Sequence, residues 1–100
     1  MVRRRRLSRE AFAPTLARLM EERGATFREL AATTGLSAGY LNHLVHGNRA
    51  VPANAVIDRL AAALDVDPEH FREVRLRRVQ ERLAARPDLI DRLYRQLAPR

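Results

Sequence analysis

Residues 26–47 read TFRELAATTGLSAGYLNHLVHG, and their punctuation describes two short helices joined by a tight turn. Thr26 followed three residues later by Glu29 is a capping box, in which the hydroxyl and the carboxylate each satisfy an orphan amide at a helix start. The helix it opens begins at Phe27 and turns Leu30 and Ala31 inward. It stops at Gly35, because glycine enters the left-handed conformation that ends a helix without steric cost. Ser37 then caps a second helix whose Leu41, Leu44 and Val45 recur at helical spacing, with Gly47 as its stop. Two helices with so short a link must cross steeply.

Working outward, the order Leu30-Ala31, Gly35-Leu36-Ser37, Tyr40-Leu41, Leu44, Gly47, Pro52, Ile57, Leu60-Ala61 and Leu64 resembles the Cro/C1-type (XRE) helix-turn-helix family over about residues 10–71. The resemblance implies an all-α, five-helix bundle like that of lambda repressor. It also implies a sequence-specific regulator of transcription whose partner is double-stranded DNA, with residues 37–46 as the helix that enters the major groove.

On the N-terminal side, four consecutive arginines repel one another and bury nothing, so residues 1–7 are expected to form a disordered basic arm. Ser8 is a candidate cap for a first helix whose Phe12, Leu16, Leu19 and Met20 form one buried stripe ending at Gly24. Pro14 is harmless only in a first turn, which puts the start between Arg9 and Pro14. After the central pair, residues 48–51 form a loop and Pro52 leads into a fourth helix carrying Ile57, Leu60, Ala61 and Leu64. Asp65 stands where the resembled family has glycine, and an aspartate tolerates the left-handed stop adequately. Asp67-Pro68 reads as cap and first residue of a fifth helix reaching about Ala85, and Pro87 opens a sixth to about Leu97. The expected organisation is an arm at 1–7, a helix-turn-helix domain at 8–66 and C-terminal helices at 67–100.

The last two helices carry Phe71, Val74, Leu76, Val79 and Leu83, then Leu89, Ile90, Leu93, Tyr94 and Leu97, more apolar surface than a small five-helix domain covers. Either the tail folds back as a helical hairpin and completes the monomer core, or residues 70–97 form a homodimer interface.

One hundred residues make one domain, and 46% hydrophobic content with few aromatics and no β-branched runs suits a helical bundle. With no cysteine, there is no disulfide framework, thiol nucleophile or thiolate metal site, and no feature argues for an oxidising compartment. Neither a signal peptide nor a stretch of roughly 20 apolar residues appears. The expectation is a soluble, cytoplasmic protein with no membrane partner.

The net charge is +7, and all nineteen basic residues are arginine. It divides into +5 over residues 1–9, −1 over residues 10–66 and +3 over residues 67–100. Attraction to a polyanion must therefore come from the arm, the tail or a local patch. Between Glu29 and Asp58 no acid occurs, so the DNA-facing surface at least lacks repulsion.

With Leu41 and Leu44 inward, the outward positions of the second helix of the pair are Ala38, Gly39, Asn42, His43 and His46. An Asn42 carboxamide fits the N7 and N6 edge of adenine, and His43 can donate to guanine or phosphate. The bland alternative for both is an exposed polar residue. Ala38 and Gly39 match the family's first base-contact positions but depart from its usual long polar residues. Ala38 can touch a thymine methyl, and Gly39 either lets backbone approach DNA or weakens specificity. Ser37 and the free amides at its helix start suit a phosphate oxygen. The resemblance adds Arg28 and Arg49 as backbone contacts, and the basic arm Arg3, Arg4, Arg5 and Arg6 is suited to tracking a groove or the phosphates. Phe27 replaces a phosphate-binding glutamine of the family, which makes it a packing residue.

His43, His46 and His70 lack the carboxylate or thiolate that would complete a metal site, and no nucleophile, paired-carboxylate or phosphate-loop motif occurs. The expectation is a non-enzyme without cofactor. Two alternatives remain open: an antitoxin that holds a toxin with its tail and autoregulates through the same helices, and a protein-interaction adaptor that has lost DNA binding.

Overall fold

The computed structural model describes residues 7–99, and the regular elements among them are all helical. They are α1 (Phe12–Arg23), α2 (Phe27–Thr34), α3 (Ala38–Val45), α4 (Asn54–Ala63), a single 3-10 turn (Pro68–His70), α5 (Arg72–Ala84) and α6 (Pro87–Leu97). Arg3, Arg4, Arg5 and Arg6 of the expected arm lie outside the described residues. Among the described residues no helix is long and apolar enough to cross a membrane.

The core gathers the predicted stripes: Phe12, Leu16 and Leu19 from α1, Leu30 from α2, Leu41 and Leu44 from α3, and Ile57, Leu60 and Ala61 from α4. Each large apolar side chain removed from water contributes about 1.5–3 kcal/mol. Phe71 and Val74 are also fully buried, and the Phe71 ring lies 5.0 Å from that of Phe12. The core thus runs from the first turn of α1 to the first turn of α5.

Most helix ends follow the local code. The Thr26 hydroxyl accepts the Glu29 amide at 3.0 Å. It also donates to the Glu29 carboxylate at 2.9 Å, so the carboxylate closes on the hydroxyl rather than on the expected backbone amide. Asp65 does adopt the left-handed conformation at φ 56°. Val66 N–H reaches Ala61 O at 3.0 Å and Asp65 N–H reaches Ala62 O at 3.3 Å, the two bonds of a Schellman stop.

Two expectations need correction. Ser8 does not cap α1: Ala11 occupies that position and offers no side-chain bond. The Ser8 hydroxyl instead meets the Thr15 hydroxyl at 2.7 Å, and the Phe12 amide donates to Glu73 Oε2 at 3.0 Å, a cap from 61 residues away. Nor does a continuous helix start at Asp67-Pro68. The turn there closes with His70 N–H to Asp67 O, after which Phe71 is extended, at φ −81° and ψ 127°, while its ring lies in the core. Burial of that ring outweighs continuity of the helix.

The tail answers the two-way expectation in part. Phe71 and Val74 complete the core, whereas α6 buries no residue and packs chiefly against α5. A radius of gyration of 16.0 Å, against about 13 Å for a compact chain of this length, fits a hairpin standing off the bundle.

Candidate nucleic-acid interface

The turn between α2 and α3 is built from three groups. Buried Thr34 donates its hydroxyl to Leu30 O at 2.7 Å and accepts the Leu36 amide at 3.2 Å, so one side chain ends α2 and shapes the turn. Gly35 follows at φ 78°, and a Cβ there would stand 2.9 Å from an Arg59 guanidinium nitrogen. That guanidinium, from α4, donates to the Thr34 carbonyl at the end of α2, where a cation also complements the helix dipole. Glycine is therefore favoured by conformation, and a larger residue would also displace the end of the Arg59 side chain. Thr34 and Arg59 carry no signal in the sequence beyond their types, because their partners are set by tertiary packing.

Ser37 then caps α3, its hydroxyl accepting the Tyr40 amide at 3.0 Å. The hydroxyl proton remains available, and the amides of Ala38 and Gly39, one turn ahead of any helical acceptor, face outward at an exposed helix start. Leu41 and Leu44 are 0% and 1% exposed, which fixes the rotation of α3 about its axis. Ala38, Gly39, Asn42 and His43 consequently lie on its exposed side, as the helical pitch predicts. Neither the Asn42 carboxamide nor the His43 ring bonds to another described residue.

His46 differs. Its Nδ1 lies 2.8 Å from the Asn42 carbonyl, and since a carbonyl only accepts, Nδ1 carries the proton and the ring closes its own helix end. The stop is completed by Asn48 N–H to His43 O at 2.9 Å and Gly47 N–H to Leu44 O at 3.2 Å, with Gly47 at φ 72°. A Cβ on Gly47 would lie 3.8 Å from the Ala13 Cβ, so this end of α3 rests on the first turn of α1.

Arg49 leaves that loop and places its guanidinium carbon 5.6 Å from the centre of the Tyr40 ring. Tyr40 is half-buried against the core, so it holds the cation beside α3. Sequence spacing could not show this stacking. Arg28 stands exposed in the first turn of α2 with no partner among the described residues. Phe27 packs, partly buried, against the core.

The tail arginines are mostly committed elsewhere. Arg75 donates to the carbonyls of Ser8, Glu69 and His70 at 2.6, 2.8 and 2.9 Å, and Arg77 to Pro52 O and Asn54 Oδ1, both at 2.8 Å. Arg72 meets Glu73 and Arg9 O, Arg78 meets Glu69, and Arg86 meets Asp88. His70 is buried beside Phe71, far in role from His43 and His46, and no three potential metal ligands gather among the described residues.

The helix-turn-helix domain family matches residues 11–74, from the cap of α1 to the last buried residue of α5. Over 60 residues the chain is 40% identical to the HTH-type transcriptional repressor RghR of Bacillus subtilis (strain 168). That alignment covers 60% of this chain and 44% of the repressor, so the chain matches less than half of the relative's length. No solved structure matches.

Proposed function

The chain belongs to the helix-turn-helix domain family, and from that premise we propose that it is a DNA-binding transcription regulator that lays α3 in the major groove. The observation that carries the reading is the division of α3. Leu41 and Leu44 are locked in the core, while Asn42 and His43 project from a capped helix with no partner among the described residues. The family match at residues 11–74 spans this helix.

In this reading Asn42 makes a bidentate contact to adenine and His43 donates to guanine or to a phosphate. Ala38 lies against a thymine methyl, and Gly39 admits backbone to close approach. Ser37, with the exposed amides beside it, Arg28 and Arg49 hold phosphates, and Arg3, Arg4, Arg5 and Arg6 add contacts along the groove. Two copies acting together place their α3 helices about 34 Å apart, one turn of DNA, and favour a pseudo-palindromic site. Control follows from occupancy of promoter DNA.

Selection of DNA sites from a random pool, followed by binding at several salt concentrations, tests the proposal. An enriched motif with an adenine-dependent position is expected. No enriched motif, together with affinity that vanishes at moderate salt, would overturn sequence-specific recognition.

A further inference from the structure

The loop that joins α3 to α4 is fixed on both sides of Arg49. Before it, the Asn48 amide donates to His43 O at 2.9 Å, which ties the preceding residue to the last turn of α3. After it, Val51 packs against the core and Pro52 is buried. The Pro52 carbonyl accepts from the Arg77 guanidinium of α5 at 2.8 Å, and the same nitrogen donates to Asn54 Oδ1, also at 2.8 Å, in the first turn of α4. Only Arg49 and Ala50 stand between these anchors, so the backbone has little freedom to carry the Arg49 Cα elsewhere.

The side chain is a different matter. Arg49 is exposed, and among the described residues its guanidinium has no hydrogen bond or ion pair. What it meets is the Tyr40 ring, with 5.6 Å from the guanidinium carbon to the ring centre. A free arginine side chain samples many rotamers, and this contact selects among them. Tyr40 is itself held. Its amide donates to Ser37 Oγ at 3.0 Å in the first turn of α3, and the residue packs, half-buried, against the core. The cation is thereby referenced to α3 rather than to the loop alone. No acid occurs in the sequence between Glu29 and Asp58 to draw it away. A guanidinium against a ring also keeps its N–H donors, which lie in its own plane, available to an anion.

We propose that Tyr40 is a positioning residue for DNA binding: its ring holds Arg49 in one place relative to α3, so that the guanidinium meets a backbone phosphate with less freedom left to lose. The proposal rests on the reading of α3 as the helix in the groove and of Arg49 as a phosphate contact, and it adds the residue that sets this contact. Tyr40 itself touches neither phosphate nor base. The role needs an aromatic face and no hydroxyl, and it acts only through Arg49.

Binding of the full chain to its selected DNA site, with the variants crossed, tests this. Tyr40→Phe keeps the ring and is expected to bind as wild type does. Tyr40→Leu keeps an apolar side chain against the core but loses the ring, and should weaken binding about two- to fivefold on every sequence alike. In an Arg49→Ala background the same substitution should cost nothing further. Thermal unfolding of each variant separates these effects from folding, and Tyr40→Met takes the place of Tyr40→Leu if that variant unfolds. Equal losses from Tyr40→Leu in both backgrounds, or a loss from Tyr40→Phe as large as that from Tyr40→Leu, overturn the positioning role while leaving Arg49 as a contact. Arg49→Ala alone should lower the salt slope by about one unit per bound copy. If it changes neither slope nor affinity, Arg49 is no phosphate contact, and the positioning role falls with that part of the reading. Without DNA, nuclear magnetic resonance reads the ring contact directly. The Tyr40 ring current should displace the Arg49 side-chain proton signals in wild type and Tyr40→Phe, and the displacement should vanish in Tyr40→Leu. Its absence in wild type overturns the proposal whatever the chain does with DNA.

Discussion

Glu73 is the residue through which the end of the domain holds its beginning, and replacing it should cost more than its place on the outer part of the fold suggests. α1 has no cap of its own, since Ala11 precedes it and the Phe12 amide is satisfied by Glu73 Oε2 at 3.0 Å. The Glu73 side chain is 17% exposed and is shielded beside Arg72. Losing a helix cap to alanine costs about 0.5–2 kcal/mol, and losing a carboxylate at a helix N-terminus removes a further ~0.3–1 kcal/mol. Partial burial of the carboxylate offsets some of this, which sets Glu73→Ala at about 1.5–2 kcal/mol. For a domain of this size that is a fall of roughly 6–16 °C in Tm. Glu73→Gln keeps an acceptor and loses only the charge, so about half the loss is expected. Glu81→Ala, two turns further along an exposed face, should stay within about 0.5 kcal/mol of wild type. Urea unfolding followed by circular dichroism gives the free energies, and hydrogen exchange at the Phe12 amide reads the bond itself. The reasoning is refuted if Glu73→Ala matches Glu81→Ala, or if Phe12 exchange does not quicken.

Two further substitutions probe the turn and the reading helix. Gly35→Ala places a side chain at φ 78° and against the Arg59 guanidinium, so a loss of about 1–2 kcal/mol from conformation alone is expected in thermal unfolding; an unchanged midpoint would contradict it. Asn42→Ala should relax preference at a single base pair by about 1–3 kcal/mol while leaving stability intact, because its carboxamide has no bond to any other described residue. Equal weakening on every DNA sequence would remove Asn42 from base recognition.

The parts of this fold that are legible in the sequence are those whose signals and partners are close together in the chain. Thr26 with Glu29, Ser37, Gly35 and Gly47 mark α2 and α3 because a cap is made by residues within one turn. The Asp65 stop is readable for the same reason. What caps the start of α1 is Glu73, and what accompanies the break at Phe71 is burial of its ring among residues of other helices, so neither has a local signature. The outward residues of α3 follow from pitch alone, whereas the withdrawal of His46 to the Asn42 carbonyl and the stacking of Arg49 on Tyr40 depend on rotamers that spacing does not specify. On α6 the pattern gives the apolar side, and nothing in the pattern says what covers it.

Charge follows the same rule, since composition counts arginines without telling which are engaged. Arg18 meets Glu10, Arg23 meets Asp65 at 3.1 Å, and Arg59 meets the Thr34 carbonyl. Arg72, Arg75, Arg77, Arg78 and Arg86 are likewise occupied. Beside α3 this leaves Arg28 and Arg49, to which the proposed reading adds Arg3, Arg4, Arg5 and Arg6. About six phosphate contacts per copy give a slope of about −5 per bound copy for log affinity against log salt. Replacing the four N-terminal arginines with alanine should reduce it to about −2 and weaken every sequence alike, without altering the selected motif. Replacing Arg92 and Arg95 should leave the slope unchanged, because they lie on α6 rather than beside α3. A slope that survives loss of the N-terminal arginines but collapses with those of α6 would transfer the phosphate contacts to α6.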